Sequence, residues 1–270
     1  MMMPARSLGD YLREWRQRRR LSQLEFALEA EISQRHLSFI ESGRALPSRD
    51  MLMHLAERLD VPLRDRNPML LAAGFAPVFP ERSLDDPALA PARRAIDLVL
   101  KGHEPFPALA IDRHWTLIAA NAALAPLLSS VADISLLEPP VNVLRLSLHP
   151  DGLAPRILNL AEWRTHLLER LRQQIAATGD PVLSDLLKEL SAYPAPPAHR
   201  SNPYERDYAG IAVPLELATD AGRLSFISTT TVFGTPVDVT LSELAIESFF
   251  PADQQTADAL RVTMSFRQKS

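Results

Sequence analysis

The sequence of 270 residues contains no cysteine. This absence excludes disulfides, thiolate metal sites, cysteine nucleophiles and a flavin–cysteinyl photosensor in this chain. Glycine is scarce, at 9 residues, and no glycine-rich phosphate-binding loop is present. The 7 histidines are scattered, without HExxH or another metal-binding spacing. We therefore predict no catalytic residue, no metal site and no cofactor.

Long apolar runs are also missing. No run reaches the roughly 18 apolar residues of a membrane-spanning helix, and the opening MMMPARS lacks the apolar core of a signal peptide. A chain without cysteine is compatible with a reducing compartment. These features predict a cytoplasmic protein with no membrane partner, and its length is sufficient for two domains with separate cores.

The segment LSQLEFALEAEISQRHLSFIESGR, residues 21–44, predicts two short helices joined by a tight connection. Ser22 and Glu25 have the spacing of a capping box, which begins the first helix. The Ser33 side chain can cap the second helix by accepting a hydrogen bond from a free backbone N–H. Gly43 offers the left-handed conformation that ends a helix.

The second of these helices has one apolar and one polar face. Leu37 and Ile40 point one way, and the opposite face is polar, with Gln34, Arg35, Ser38 and Ser42. Glutamine can pair bidentately with adenine and arginine with guanine, so this face suits a DNA major groove. The alternative is an ordinary solvated polar face.

Residues from about Ser7 to Gly74 resemble the helix-turn-helix of the lambda repressor/Cro (Xre) family. The resemblance rests on the LSQ opening, the small Ala27, the I-S-x-x-x-[LIV]-S-x-[IL]-E-S-G-R run and the following P-S-x-x-x-L-x-x-[LI]-A form. It implies that the first helix of the pair lies on the phosphate backbone and the second reads bases. The DNA-binding residues implied in this way are Ser22, Gln23 on a phosphate, Gln34, Arg35 and Ser38 at base edges, and Arg44 near the backbone.

Charge is divided unevenly between the two parts of the chain. Residues 1–74 hold 12 arginines and 10 acidic residues, whereas the rest holds 17 basic and 23 acidic residues. The basic excess therefore accompanies the helix-turn-helix, as phosphate contact requires. On the first predicted helix, residues 7–20, a basic outer face and end are formed by Arg13, Arg16, Arg18, Arg19 and Arg20. These arginines either reach phosphate or form a solvated basic end.

The predicted fold class is α + (α+β). A five-helix DNA-binding domain over residues 1–75 is followed by a proline-punctuated linker, residues 76–105, with a short helix at Ala92–Leu100 whose Ile96, Val99 and Leu100 pack on one of the domains. Residues 106–270 form the second domain. Its predicted strands are Ala108–Ile111, Trp115–Ala119, Gly210–Leu217, Arg223–Phe233 and Val237–Ile246.

Helices are predicted between the second and third of these strands. Asn121 is expected to cap one, Asn142–His149 reads as an alternating or loop-like stretch, and two further helices follow at residues 159–178 and 181–191. A last helix is predicted near residues 252–261. This order of elements, with two strands, a helical middle and three strands, is that of a PAS-like domain. Such a domain has an antiparallel sheet with covering helices, which leaves a cavity for a small ligand.

The second half also resembles the ligand-binding domain of MmyB-like transcriptional regulators. The resemblance rests on PALAIDRHWTLIAANAALAPLL at residues 107–128, on NVLRLSLHP and on the NLAEW helix, while FGTPVDVTLSELAIESFFPAD departs from the commoner ending. It implies a PAS-like domain that binds a small, largely apolar molecule, with fatty acids as the suggested class.

An acyl chain needs an apolar tunnel, and its carboxylate needs a cation or a polar cluster at the mouth. The predicted ligand-binding residues are Asn142, Arg145, His149 and Trp163, with Arg145 as the bidentate clamp. Each has a structural alternative: an ion pair for Arg145, a turn cap for His149 and a plain core position for Trp163.

Together these features predict a transcriptional regulator that binds a double-stranded operator as a homodimer and responds to a small apolar ligand. Repression is the commoner mode for this type of DNA-binding domain. One alternative makes the second half a ligand-free dimerisation or interaction module, which would expose an apolar patch in place of a cavity. An enzyme fused to a DNA-binding domain is the other, although Asp133 and Asp151 have no evident catalytic partner.

Overall fold

A computed structural model of the protein describes residues 6–194, 212–220, 222–234 and 238–267, with the backbone alone for 264–267. These residues form two compact units. The first contains residues 6–83, 176–178 and 238–242, and the second contains the remainder. In the described ranges no helix combines the length and apolar character needed to cross a membrane.

Five helices build the first unit, as the sequence predicts: α1 (Leu8–Arg18), α2 (Gln23–Glu29), α3 (Gln34–Glu41), α4 (Arg49–Arg58) and α5 (Leu63–Ala72). A serine caps each of the first four through its side-chain oxygen, and Ser22 with Glu25 forms the predicted capping box. Gly43 has a φ of 72°, which confirms the predicted left-handed end of α3. These caps satisfy N–H groups that a helix start leaves without partners.

One apolar core joins the five helices. Its fully buried members include Leu12, Phe26, Leu37, Ile40, Leu52 and Leu55. Gly9 lets α1 pass close to α3, because a Cβ atom at this position would lie 2.2 Å from the Glu41 carbonyl oxygen. The core and this close crossing fix the buried side of α3, so the opposite side faces outward.

The second unit contains one antiparallel sheet of five strands: β1 (Ala108–Ile111), β2 (Leu117–Ala120), β3 (Leu215–Thr219), β4 (Gly222–Val232) and β5 (Ala245–Pro251). The strand order is β2-β1-β5-β4-β3, so β5 lies at the centre. Two strands, a helical middle and three strands follow along the chain. The predicted antiparallel sheet with covering helices is confirmed.

Helices lie on both faces of this sheet. They are α6 (Ala90–Gly102), α7 (Ala125–Leu128), α8 (Val143–Leu148), α9 (Leu160–Thr178), α10 (Pro181–Ala192) and α12 (Gln254–Arg267), while α11 (Val239–Ser242) belongs to the first unit. Alternate residues of a strand point to opposite faces. Ala108 and Ala110 therefore pack with Ile96 of α6, whereas Leu109 and Ile111 face the larger core, to which α8, α9 and α10 contribute.

Two predictions about the helical middle are wrong. Asn142–His149 contains α8 rather than an alternating or loop-like stretch. Its leucines alternate because the helix is buried on two sides, with Leu144 and Leu148 in the main core and Leu146 in a smaller cluster. Asn121 caps no helix; its amide donates to Leu100 O and Phe106 O and accepts from Ala108 N–H.

The last predicted strand is displaced. It was expected at Val237–Ile246, of which Val237 lies outside the described residues, but β5 begins at Ala245. Asp238 Oδ1 accepts the Thr240 N–H at 2.9 Å and starts α11 instead. The predicted strand from Gly210 begins in the structure at Leu215, with 210 and 211 outside the described ranges.

Two smaller expectations also fail. Trp115 lies before β2 with a φ of 65°, in a turn where Asp112 Oδ1 accepts the N–H groups of His114 and Thr116. Val99 is exposed, whereas Ile96 and Leu100 are buried as expected.

Candidate nucleic-acid interface and ligand cavity

Helix α3 presents its predicted polar face to the outside. Leu37 and Ile40 are buried, while Gln34 and Arg35 are exposed. Ser38 is half-buried on the same helix. Exposed amide and guanidinium groups on a short helix provide the donors and acceptors that base edges in a major groove require.

Phe39 organises two of the predicted DNA-binding arginines. The guanidinium carbon of Arg35 lies 5.3 Å from the centre of the Phe39 ring, and that of Arg44 lies 5.9 Å from it. Such cation–π contacts limit the freedom of two long side chains. The Phe39 ring therefore holds a base-reading candidate and a phosphate-binding candidate side by side.

Gln23 is connected to a buried ion pair. Its Nε2 donates to Glu41 Oε2 at 2.8 Å. Arg16 donates to the same carboxylate, at 2.7 Å to Oε1 and 3.1 Å to Oε2, and to Leu21 O at 2.8 Å. Glu41 is 3% exposed and Arg16 9%. Arg16 thus lies inside the unit, contrary to the predicted outer face, and it joins α1, α2 and α3 behind the polar face of α3.

Ser22 performs the local task that its sequence pattern predicts. Its Oγ accepts the Glu25 N–H at 3.2 Å, and Glu25 Oε2 accepts the Ser22 N–H at 2.7 Å. Hydrogen bonds to its carboxylate from the Ser22 N–H and from the Ser22 side chain lower the pKa of Glu25. The first turn of α2 is therefore fixed, and Gln23 follows directly in it. The DNA contacts of all six residues remain predictions.

The second unit contains a cavity between the inner face of the sheet and the helices α7, α8 and α9. Its volume is about 90 Å³. Leucine and aromatic side chains form nearly all of its wall, including Leu109, Trp115, Leu117, Leu144, Trp163 and Phe226. A wall of this composition suits an apolar ligand.

Two polar side chains interrupt that wall, Ser147 and Glu247. Ser147 Oγ accepts the Trp163 Nε1–H at 3.1 Å. Glu247 is 5% exposed and its carboxylate accepts from Arg170 Nη2 at 2.6 Å and from Thr230 Oγ1 at 2.9 Å. Arg170 in turn lies 4.8 Å from the Trp115 ring. The cavity wall therefore contains one acidic side chain, Glu247, whose carboxylate already binds Arg170.

Of the four predicted ligand residues, Trp163 lines this cavity and the other three make different contacts. Asn142 caps α8 and donates to His114 O at 2.8 Å. Arg145 donates two hydrogen bonds to Glu189, at 2.7 and 2.8 Å. His149 meets the Tyr193 ring edge-on, with 5.1 Å between ring centres. The structure does not bring the four together, and their ligand roles stay predictions.

The contacts of Arg145 alter the protonation of its neighbours. Its hydrogen bonds hold the pKa of Glu189 below the ordinary value, and Tyr193 OH donates to the same carboxylate at 2.6 Å. Burial and that bond raise the pKa of Tyr193 to about 12. The cluster therefore stays ionised as one cation and one anion at neutral pH, and it joins α8 to α10.

Sequence reasoning missed Ser147, Arg170 and Glu247. A usable signal was the strand alternation Ala245, Glu247, Phe249, which places a glutamate on the same face as apolar core residues. The displaced strand assignment hid this alternation.

Burial and the nearby charge of Arg170 lower the pKa of His166. Across the described ranges, no group of three or more His, Asp or Glu side chains is arranged to hold a metal ion.

Comparison with known families gives two matches. Residues 92–262 match the family described as MmyB-like transcription regulator ligand binding domain, which covers more than half of the chain. Residues 12–65 match the helix-turn-helix family. Both are families of transcription-regulator domains rather than of enzymes. A search of curated proteins gives no significant match.

Proposed function

Because the chain belongs to the family of MmyB-like transcription regulator ligand binding domains and carries a helix-turn-helix, we propose that it is a ligand-responsive transcriptional repressor. In this proposal α3 reads an operator, and a fatty acid in the cavity of the second unit changes the affinity for DNA. The observation that carries the proposal is the presence of an apolar cavity and an exposed recognition helix in one chain.

The apolar wall supports an acyl chain as the ligand. The cavity of about 90 Å³ is smaller than the roughly 150 Å³ apolar cavity that accepts benzene in another protein. Without movement of the wall this space holds only the end of an acyl chain, so a longer chain must displace wall side chains or extend out of the cavity. We describe the second unit as PAS-like on its strand order and on the position of the cavity between sheet and helices.

On DNA, we propose a homodimer in the cytoplasm that binds two half-sites about 34–36 Å apart, the spacing at which two recognition helices enter successive major grooves. The fixed pair Arg35 and Arg44 on the Phe39 ring supports base and phosphate contacts from the same surface. A change in ligand occupancy alters DNA affinity only if the ligand has different affinities for the two arrangements of the protein.

The competing proposal is a ligand-free interaction module. It is favoured by exposed apolar side chains on α6, where Leu98 is 71% and Val99 43% exposed. Two side chains form a small patch, and the same surface suits the contact between the subunits of a dimer. The cavity therefore carries more weight than the patch.

Mass spectrometry of organic extracts from the purified protein tests the proposal. A Leu117→Trp variant reduces the space in the cavity, and Leu98→Trp adds the same side chain on the exposed surface of α6. We expect a fatty acid from the parent and from Leu98→Trp, and a reduced amount from Leu117→Trp. Extracts without any apolar molecule, together with no binding of added fatty acids, would favour the interaction module.

A further inference from the structure

A fatty acid has a carboxylate as well as a chain, and the cavity offers this carboxylate no available cation. Glu247 adds a negative charge to the wall, and its partner Arg170 is engaged. Resting on the function proposed above, we propose that the carboxylate binds Arg156 in a cleft next to the cavity, with the chain directed inward past Leu127.

The cleft adjoins the cavity at α7. Its volume is about 170 Å³, nearly twice that of the cavity. Leu127 borders both spaces. The wall carries Arg156 and its exposed neighbour Asp220, together with the hydroxyl-bearing side chains Ser129, Ser130 and Thr219. The wall also includes Leu260, which belongs to the same apolar core as residues that line the cavity.

Some of the hydrogen-bond donors of Arg156 are available to a ligand. Nη1 makes two long contacts, at 3.4 Å to Ala218 O and 3.7 Å to Asp220 Oδ1. Neither its Nε nor its Nη2 has an acceptor among the described residues. Asp220 is fully exposed, so water screens its charge. A guanidinium with a free edge can bind a carboxylate through two parallel hydrogen bonds.

The other two arginines near the cavity lack this freedom. Arg145 uses Nε and Nη2 on Glu189. Arg170 uses Nη1 and Nη2 on Glu247, and Nη2 also donates to Thr230. Release of either carboxylate would leave an acidic side chain without its cation. Of these three arginines, Arg156 can bind a ligand carboxylate without breaking a short ion pair.

The backbone around Arg156 is held in place from both sides. Leu158 N–H donates to Glu216 O at 2.8 Å, and Ile157 forms a bridge with Leu217 of β3. On the other side, Leu153 N–H donates to Leu146 O at 2.9 Å, a close approach that only a glycine at 152 permits. A guanidinium on a fixed backbone can define the end of the ligand.

These features set the direction of the ligand. The carboxylate is repelled by Glu247 and attracted by Arg156, so it lies in the cleft, and the chain passes Leu127 into the apolar cavity. An alcohol of the same length uses the same apolar space but gains much less from Arg156. The ligand class is therefore an acyl chain with an anionic head.

The test is calorimetric binding of decanoate and of 1-decanol to the full-length protein. Arg156→Gln removes the cation, Arg156→Lys retains the charge, and Arg145→Gln is a matched control that removes a different arginine. We expect Arg156→Gln to weaken decanoate binding about tenfold or more, the loss typical of a charged hydrogen-bonded contact, and to change 1-decanol binding less than about twofold. Arg156→Lys should recover part of the loss.

The outcomes separate the two proposals. Unchanged decanoate affinity in Arg156→Gln, in a variant with the parent's thermal midpoint, overturns the Arg156 assignment and leaves the ligand-responsive function standing. A loss in Arg145→Gln instead assigns the carboxylate to Arg145. Equal losses of decanoate and decanol in Arg156→Gln indicate a structural role and also overturn the assignment. Failure of the parent to bind any member of an acid series from six to sixteen carbons rejects the proposed function and this inference together.

Discussion

Arg145 of α8 and Glu189 of α10 form a two-pronged ion pair, with Nε 2.7 Å from Oε1 and Nη2 2.8 Å from Oε2. The pair joins a helix that lines the cavity to one that lies behind it. Arg145 is predicted from the sequence to clamp a ligand carboxylate. In the fold, its Nε and Nη2 groups are instead occupied by Glu189.

The Arg145–Glu189 pair should contribute only modestly to stability. Both side chains are more than one-third exposed, at 45% and 36%, so solvent screens their attraction. A double-mutant cycle with Arg145→Ala and Glu189→Ala is expected to give a coupling free energy of about 0.2–1 kcal/mol in denaturant unfolding. A coupling of several kcal/mol would show that the pair is effectively buried.

The polar face of α3 gives a second prediction. Arg35→Ala should weaken specific DNA binding by roughly 1–3 kcal/mol and relax the preference at one base position. Gln23→Ala should weaken binding to all sequences alike, because its predicted contact is a phosphate. Binding titrations against a set of single-base operator variants measure both effects, with Arg172→Ala on the second unit as a charge-matched control. If Arg35→Ala retains the parent's affinity for every variant, Arg35 does not read bases.

The buried pair of Arg16 and Glu41 should be important for the first unit. Glu41→Ala leaves Arg16 buried without its carboxylate, and such losses typically cost roughly 3–5 kcal/mol. Gln23 loses its acceptor in the same variant. Hydrogen exchange of α1–α5 is expected to accelerate strongly while the strands of the second unit exchange as in the parent. If α1–α5 of Glu41→Ala exchange as slowly as in the parent, the buried pair of Arg16 and Glu41 does not stabilise the first unit.

Asp180 gives a prediction about pH. Burial raises its pKa, but this effect is outweighed by hydrogen bonds from His114 and the Val182 N–H and by the charges of His114 and Arg113, so the net pKa is lowered. A lowered folded-state pKa contributes stability above the ordinary value of 3.8, and this contribution is lost as pH falls through the folded pKa.

Asp180→Asn isolates that contribution, because asparagine can still cap α10. The variant should be less stable than the parent at pH 7, and the difference in unfolding free energy should shrink as pH is lowered below about 4. Denaturant unfolding at three pH values measures it. A difference that stays constant with pH would indicate a packing effect of the substitution and not a charge effect.

Much of the fold could be predicted because its signals are local. Serine caps and the capping box of Ser22 fix the helix starts of the first unit, and each lies within four residues of the group that it bonds. The assignments that failed depend on distant contacts. Leucine alternation in α8 arises from burial on two sides, and the Asn121 side chain bonds Leu100 O, 21 residues away.

The candidate sites differ in the same way. Gln34 and Arg35 lie on the outer face of α3 because helical periodicity alone separates them from Leu37 and Ile40. The cavity depends on the pairing of strands from both ends of the second unit. Neither the partner of Arg145, 44 residues away, nor that of Arg170, 77 residues away, can be read from spacing.

The most direct test of the central claim is a titration of the operator, first selected from a random DNA pool, with and without saturating decanoate. The parent protein should change its operator affinity about fivefold or more, the usual lower range of allosteric coupling, and Leu117→Trp should respond much less. Unchanged affinity in a parent protein that demonstrably binds decanoate would contradict the account, because the ligand would then have no effect on DNA recognition.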